Sequence, residues 1–155
     1  MAYASRVSGA HGMAETSSVG TFASGNLTIG SIRVPASLLN VPIVGDTIYK
    51  TGRKTGTTKG RLNATCESII FGAPGTFNVE LFCLNTATLC ADGGDSGGSV
   101  YVAWRVPLAA NARTVAGTLV GSYHPVNFVE LPLMYYSPWE EIEAPLGLGT
   151  LFTHN

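Results

Sequence analysis

Between residues 17 and 136, glycine or proline interrupts the apolar runs roughly every eight to twelve residues, a spacing that admits short strands and turns. The chain is therefore expected to be all-β. Segments rich in Val, Ile, Thr and aromatics mark strands at 17–22, 27–34, 47–51, 58–71, 76–84, 99–104, 114–121 and 128–136. Six to eight such strands fit a closed antiparallel barrel, which also leaves no exposed sheet edge. One helix is expected at "SPWEEIE": Ser137 caps it, Pro138 takes the first helical position and Glu140 closes a Ser-x-x-Glu capping box. Pro145 and Gly147 then stop it.

A length of 155 residues suits one domain with its own core. Charged residues make up 12% of the chain and hydrophobic ones 45%, which is globular rather than disordered composition. Net charge is −1, so no overall field draws in nucleic acid or an anionic membrane, and neither partner is expected. No apolar run reaches the roughly 18 residues of a membrane span, and "MAYASRVSGAHGM" lacks the pattern of a signal peptide. Cys66, Cys83 and Cys90 match no zinc template. They are read either as one disulfide with a buried thiol or as three reduced thiols, and no metal or cofactor is implied.

The segment "CADGGDSGGSVYVAW" (90–104) places Ser96 among Gly93, Gly94, Gly97 and Gly98. Glycine loses more backbone entropy on folding than any other residue, so this density needs a reason, and close approach of a ligand to backbone is one. Acyl transfer by a serine needs a hydroxyl on a tight turn and N–H groups aimed at the developing oxyanion. In Gly-Asp-Ser-Gly-Gly the N–H groups of Gly94 and Ser96 would form that oxyanion hole, while Asp95 turns into a buried ion pair that stabilises the loop. A plain glycine-rich turn is the competing reading.

"GGDSGGSV" resembles the nucleophile motif of the chymotrypsin-like serine proteases. A second match lies upstream. In "VGDTIYKTGRKTGTTKGRL" (44–62), Lys50, Gly52, Thr55, Gly56, Thr58 and Gly60 are similar to the Lys-x-Gly-x-x-Thr-Gly-x-Thr-x-Gly pattern that opens the second barrel in bacterial, fungal and viral members. "VAGTLVGSYH" looks like the strand beside bound substrate, and "YYSPWEEIEAPLGL" like the closing strand and C-terminal helix. The resemblance covers roughly 44–150. It implies a six-stranded antiparallel barrel of the double-barrel type: residues 41–155 form the second, nucleophile-bearing barrel with its helix, and residues 1–40 are a remnant of the first barrel and linker. It also places Cys90 near the base of the substrate pocket, Asp92 nearer the rim, and Val120, Gly121 and Ser122 along an extended peptide. Five of the nine basic residues, Lys50, Arg53, Lys54, Lys59 and Arg61, crowd the second motif and read as a solvated face rather than a nucleic-acid patch.

The family activates its serine with a histidine oriented by an aspartate, both preceding the serine in sequence. His154 stands next to the terminus, and His124 follows Ser96 and is placed in the substrate pocket. His11, Asp46 and Ser96 stand in family order, with gaps of 35 and 50 residues (46−11 and 96−46). However, few residues precede His11, and Asp46 falls in the opening strand of the second barrel. "MAYASRV" resembles the family segment that follows the triad aspartate. The chain thus reads as the C-terminal portion of a serine endopeptidase, cut within the first barrel, acting on peptides or proteins through an acyl-enzyme on Ser96. Its expected partner is the missing N-terminal barrel, and a parent like the rest of the family would be secreted. The alternative is a catalytically inactive protease-like barrel that binds peptides or a partner protein.

Overall fold

The computed structural model describes residues 13–16, 29–36, 41–72, 75, 77–103, 112–124 and 132–146. The strands are β1 (Met13–Thr16), β2 (Ile29–Ala36), β3 (Thr47–Gly52), β4 (Gly56–Phe71), β5 (Val79–Thr88), β6 (Ser99–Ala103), β7 (Ala112–Tyr123) and β8 (Leu133–Pro138), followed by the helix α1 (Trp139–Leu146). Six of the expected segments fall on β3 to β8 and 27–34 falls on β2, while 17–22 lies outside the described residues. The strand order is β1-β2-β7-β6-β3-β4-β5-β8, and β8 returns to pair with β7. Strands β3 to β8 thus close into a ring of six, antiparallel throughout. Outside the ring, β2 lies parallel to β7 and β1 antiparallel to β2.

Alternation decides what fills the ring. Along β3, Ile48, Lys50 and Gly52 are buried while the residues between them are not. Ile48, Leu62, Ala87, Leu89, Val100, Leu119, Met134 and Tyr136 form one core cluster with residues from all six ring strands or their ends. Burying side chains of this size stabilises the fold by about 1.5–3 kcal/mol each. Buried Asn85 meets this cluster at Tyr136 with both ends of its amide engaged: it accepts the Cys66 N–H at 3.1 Å and donates to the Tyr136 hydroxyl at 3.1 Å. Burial pushes that hydroxyl up to about 12, so it stays neutral.

Cys66 and Cys83 form a disulfide between β4 and β5. Both have positive φ, 55° and 56°, beside the point where the β4–β5 register slips around Glu67. Cys90 is free but exposed, which corrects the expectation of a buried thiol.

The helix starts at Trp139, one residue after the expected first helical position at Pro138, because Ser137 and Pro138 complete β8 opposite Thr118 and Gly117. Gly117 lets the strands close there: a Cβ on it would lie 2.0 Å from the Ser137 carbonyl oxygen. The helix ends at Leu146, between the two expected stop residues Pro145 and Gly147. Its anchor is Trp139, which packs with Tyr101, Val115 and the partly buried Tyr49.

Candidate active site

The loop between β5 and β6 carries "CADGGDSGG", and its centre is Asp95 rather than Ser96. Asp95 is 1% exposed, and its two carboxylate oxygens accept five hydrogen bonds. Oδ1 receives the N–H of Lys54 (2.6 Å) and of Thr55 (3.0 Å). Oδ2 receives the Lys50 ammonium (2.7 Å), the Thr55 hydroxyl (2.5 Å) and the Asp92 N–H (3.1 Å). Lys50 is itself fully buried on β3 and also donates to the Gly56 carbonyl at 3.1 Å and to Thr55 Oγ1. Burial lowers the Lys50 ammonium from its ordinary range, against the pull of Asp95. Burial alone would raise the Asp95 carboxyl, but the bonds from Lys50 and Thr55 outweigh it and hold it at about 2.

This gives a pH dependence with a definite sign. Asp95 titrates lower in the fold than its ordinary 3.8, so its ionisation stabilises the protein above that value, and the contribution is lost as pH falls toward 2. Urea unfolding should show stability dropping by about 2 kcal/mol from this group between about pH 5 and pH 2. An Asp95→Asn variant should lack that part of the slope, and an unchanged acid profile in the variant would contradict the assignment.

The glycines divide by cause. Gly94 and Gly97 have φ of +104° and +82°, where a side chain is strained. A Cβ on Gly98 would lie 2.4 Å from the Thr51 carbonyl oxygen and 2.8 Å from that of Asp95, and one on Gly52 would lie 2.4 Å from Asp95 Oδ1. Gly93 faces open space. The loop and the β3–β4 turn are therefore pressed together around Asp95.

Ser96 is exposed, and its hydroxyl donates to the Val120 carbonyl at 3.1 Å. That carbonyl is free for the purpose because Val120 is a bulge: Leu119 pairs with Tyr136 and Gly121 with Tyr135, leaving Val120 unopposed. Around it, the Asp95 N–H donates to Asp92 O (3.0 Å), the Gly97 N–H to Leu119 O (2.9 Å) and the Gly98 N–H to Asp95 O (2.9 Å). The N–H groups of Gly94 and Ser96 have no acceptor among the described residues.

No protein-family model and no curated protein sequence matches the chain. Solved structures do match its fold. Cellulomonas bogoriensis chymotrypsin superposes with a TM-score of 0.59 at 25% identity, covering 81% of this chain and 58% of that one. Thermobifida fusca protease A gives 0.59 at 22% identity over 81% and 57%. A glutamic acid specific serine protease, described as using a novel histidine triad in substrate binding, gives 0.58 at 25% identity over 85% and 60%. The fold is that of the chymotrypsin-like serine proteases. The chain spans less than two thirds of the length of these three structures.

On this chymotrypsin-like fold Val120 is the candidate residue bonded to Ser96. His11 and His154 lie outside the described residues. Asp46 accepts the Ile43 N–H at 3.0 Å in the turn before β3, while its backbone holds Leu62. The six residues from there to Gly52, which touches Asp95, span about 20 Å of strand, so the structure does not bring Asp46 and Ser96 together. His124 bonds through Nε2 to the Ala91 carbonyl, next to Cys90, whose own carbonyl accepts the Thr58 hydroxyl at 2.7 Å. Gly121 faces the Phe71 ring, 2.7 Å from where a Cβ would stand, and Ser122 pairs with Met134. Phe71 in turn meets Tyr135 edge-on, with ring centroids 5.7 Å apart.

Sequence reasoning missed Lys50 and Thr55 as partners of Asp95, although both stand in the quoted motif. It also read the basic cluster as a uniformly solvated face. Lys50 is buried and Lys54 forms an ion pair with Asp92 at 2.6 Å, while Arg53, Lys59 and Arg61 are exposed.

Proposed function

We propose that the chain is the nucleophile-bearing portion of a serine endopeptidase, cleaving peptide bonds through an acyl-enzyme on Ser96. The observation that carries this reading is an exposed serine hydroxyl flanked by two N–H groups, Gly94 and Ser96, that no described acceptor uses. Such donors fit the oxyanion of a tetrahedral intermediate. Asp95 holds the loop in shape without touching substrate. The segment Val120, Gly121 and Ser122 would lie along the substrate backbone, with Cys90 and Ala91 toward its side chain. Attack requires the Ser96 hydroxyl to leave Val120 and give its proton to a base. Because the fold-mates are longer, we assign that base to a preceding barrel, with His11 as the in-chain alternative.

One observation favours a second reading, an inactive barrel that binds an extended peptide. His124, the described histidine, bonds Ala91 rather than Ser96. Labelling with a fluorophosphonate separates the two. The endopeptidase reading expects phosphonylation confined to Ser96, abolished in Ser96→Ala and accelerated when the upstream coding segment is restored. No labelling with or without that segment would leave the binding module as the account.

A further inference from the structure

The free edge of β7 sets the direction in which an extended peptide can run past Ser96. Strand β6 accompanies β7 only as far as Ser99 opposite Thr118, and the loop then takes both backbone groups of Leu119, through the Gly97 N–H and the Gly98 carbonyl. From Gly121 to Tyr123 the described partner of β7 is β8, on one edge alone. The Ser96 hydroxyl stands at the Val120 carbonyl, so the residue to be acylated lies beside Val120. The residue before it runs toward Gly121, because the other direction is filled by the partners of Leu119. Paired residues on neighbouring strands project to the same face of a sheet. The side chain of that preceding residue therefore lies on the face where Gly121 has none.

That face carries an aromatic side chain from another strand. Past the Cys66–Cys83 disulfide, β4 and β5 pair only with each other and form a two-stranded arm: the last β4 pair with β3 is Arg61 with Thr47, and β5 meets β8 only from Asn85 onward. Phe71, opposite Val79 in the arm, returns to the ring of strands, where its Cε1 lies 2.7 Å from the point a Gly121 Cβ would occupy. Tyr135, which pairs with Gly121, braces Phe71 edge-on, with ring centroids 5.7 Å apart. Phe71 stays partly exposed there, and Tyr123, two residues further along the same face of β7, is exposed.

We propose that Phe71 is a specificity-determining residue: an apolar wall, supplied by the β4–β5 arm in place of the side chain Gly121 lacks, that selects a large apolar side chain in the peptide residue immediately before the acylated one. Gly121 serves this arrangement by its size, since a side chain there would compete with the Phe71 ring for the same space. An apolar peptide side chain covers the exposed part of the ring and leaves water itself, whereas glycine at that position leaves the ring wet. The fate of the peptide rests on the endopeptidase reading of Ser96, whereas the preference shows in binding alone.

The test uses the full chain, with and without the upstream coding segment, as wild type, Phe71→Ala and Phe71→Leu. The probes are acetyl-Xaa phosphonate esters that share an alanine-like phosphonate and differ only at Xaa, which is Leu, Phe or Gly. In wild type, Ser96 should label roughly tenfold faster with Leu or Phe than with Gly, the discrimination a few methylenes give in an apolar site. The ratio should fall below about threefold in Phe71→Ala and lie between the two in Phe71→Leu. A change that merely loosened the fold would slow all three probes alike and leave the ratio in place. A ratio in Phe71→Ala equal to that of wild type, or a wild type without preference, would overturn the assignment. A wild-type chain that never labels in either form would overturn the endopeptidase reading, and binding then decides the wall. In the ¹⁵N-labelled wild type the Gly121 amide resonance should respond to acetyl-Leu-Ala-amide at a roughly tenfold lower concentration than to acetyl-Gly-Ala-amide, and in Phe71→Ala to both alike. Equal responses in wild type would overturn the wall as well.

Discussion

Replacing Asp95 with alanine should destabilise the protein by about 3–5 kcal/mol, because it strands the Lys50 ammonium in the core without its counter-charge. Lys50 would keep only the Gly56 carbonyl and the Thr55 hydroxyl. The reverse change should be milder. In Lys50→Met the carboxylate of Asp95 retains four donors, from Lys54, Thr55 (twice) and Asp92, so a loss of about 1–3 kcal/mol is expected. The double variant Lys50→Met/Asp95→Ala should then be more stable than Asp95→Ala alone, since no buried charge is left. Urea denaturation of the four proteins measures this directly. A double variant at least as unstable as Asp95→Ala would show that the cage works by shape and not by charge compensation.

The second large effect separates two neighbouring glycines. Gly98→Ala puts a Cβ 2.4 Å from one backbone carbonyl oxygen and 2.8 Å from another, and neither belongs to a side chain that can swing away. The β3–β4 turn and the loop would have to part, at a cost of about 3 kcal/mol or more. Gly93→Ala meets nothing within 4 Å and should change stability by less than about 0.5 kcal/mol. Thermal unfolding of the two variants side by side is sufficient, and equal losses would mean that the loop is not pressed against Thr51.

These expectations explain why the two motifs were readable in the sequence at all. Lys50, Gly52, Thr55 and Gly56 in one motif, and Asp95 and Gly98 in the other, are the two sides of a single contact. Thr58 bonds the Cys90 carbonyl, and Gly60 closes on Thr88, where a Cβ would stand 1.7 Å from the carbonyl oxygen. Each residue type is fixed by a charge, a hydroxyl or the lack of a side chain, so the pattern survives as letters. The strands were legible for a similar reason, since alternation and glycine spacing record the pleat and the turns. What stayed hidden depends on distance across the fold. The sequence of Val120 says nothing of a bulge, which arises only from its register with Tyr135 and Tyr136. The start of α1 lies one residue later than the capping box implied, because Ser137 and Pro138 pair with Thr118 and Gly117. Which cysteine would stay unpaired was not legible in the sequence, and Cys90, two residues past the end of β5, is the exposed free thiol.

Closure of the ring carries a consequence for how the chain is made. The last ring strand, β8, pairs on both edges, with Asn85–Thr88 of β5 on one side and with the second half of β7 on the other. During synthesis β3 to β7 leave the ribosome before β8 does, so for a time they can form at most an open sheet. Its two unpaired margins are β5 and residues 117–123 of β7, both rich in β-forming side chains. Pairings over such sequence separations form slowly. Folding intermediates lacking β8 should therefore be the aggregation-prone species, and the margin they leave bare includes the strand that carries Val120.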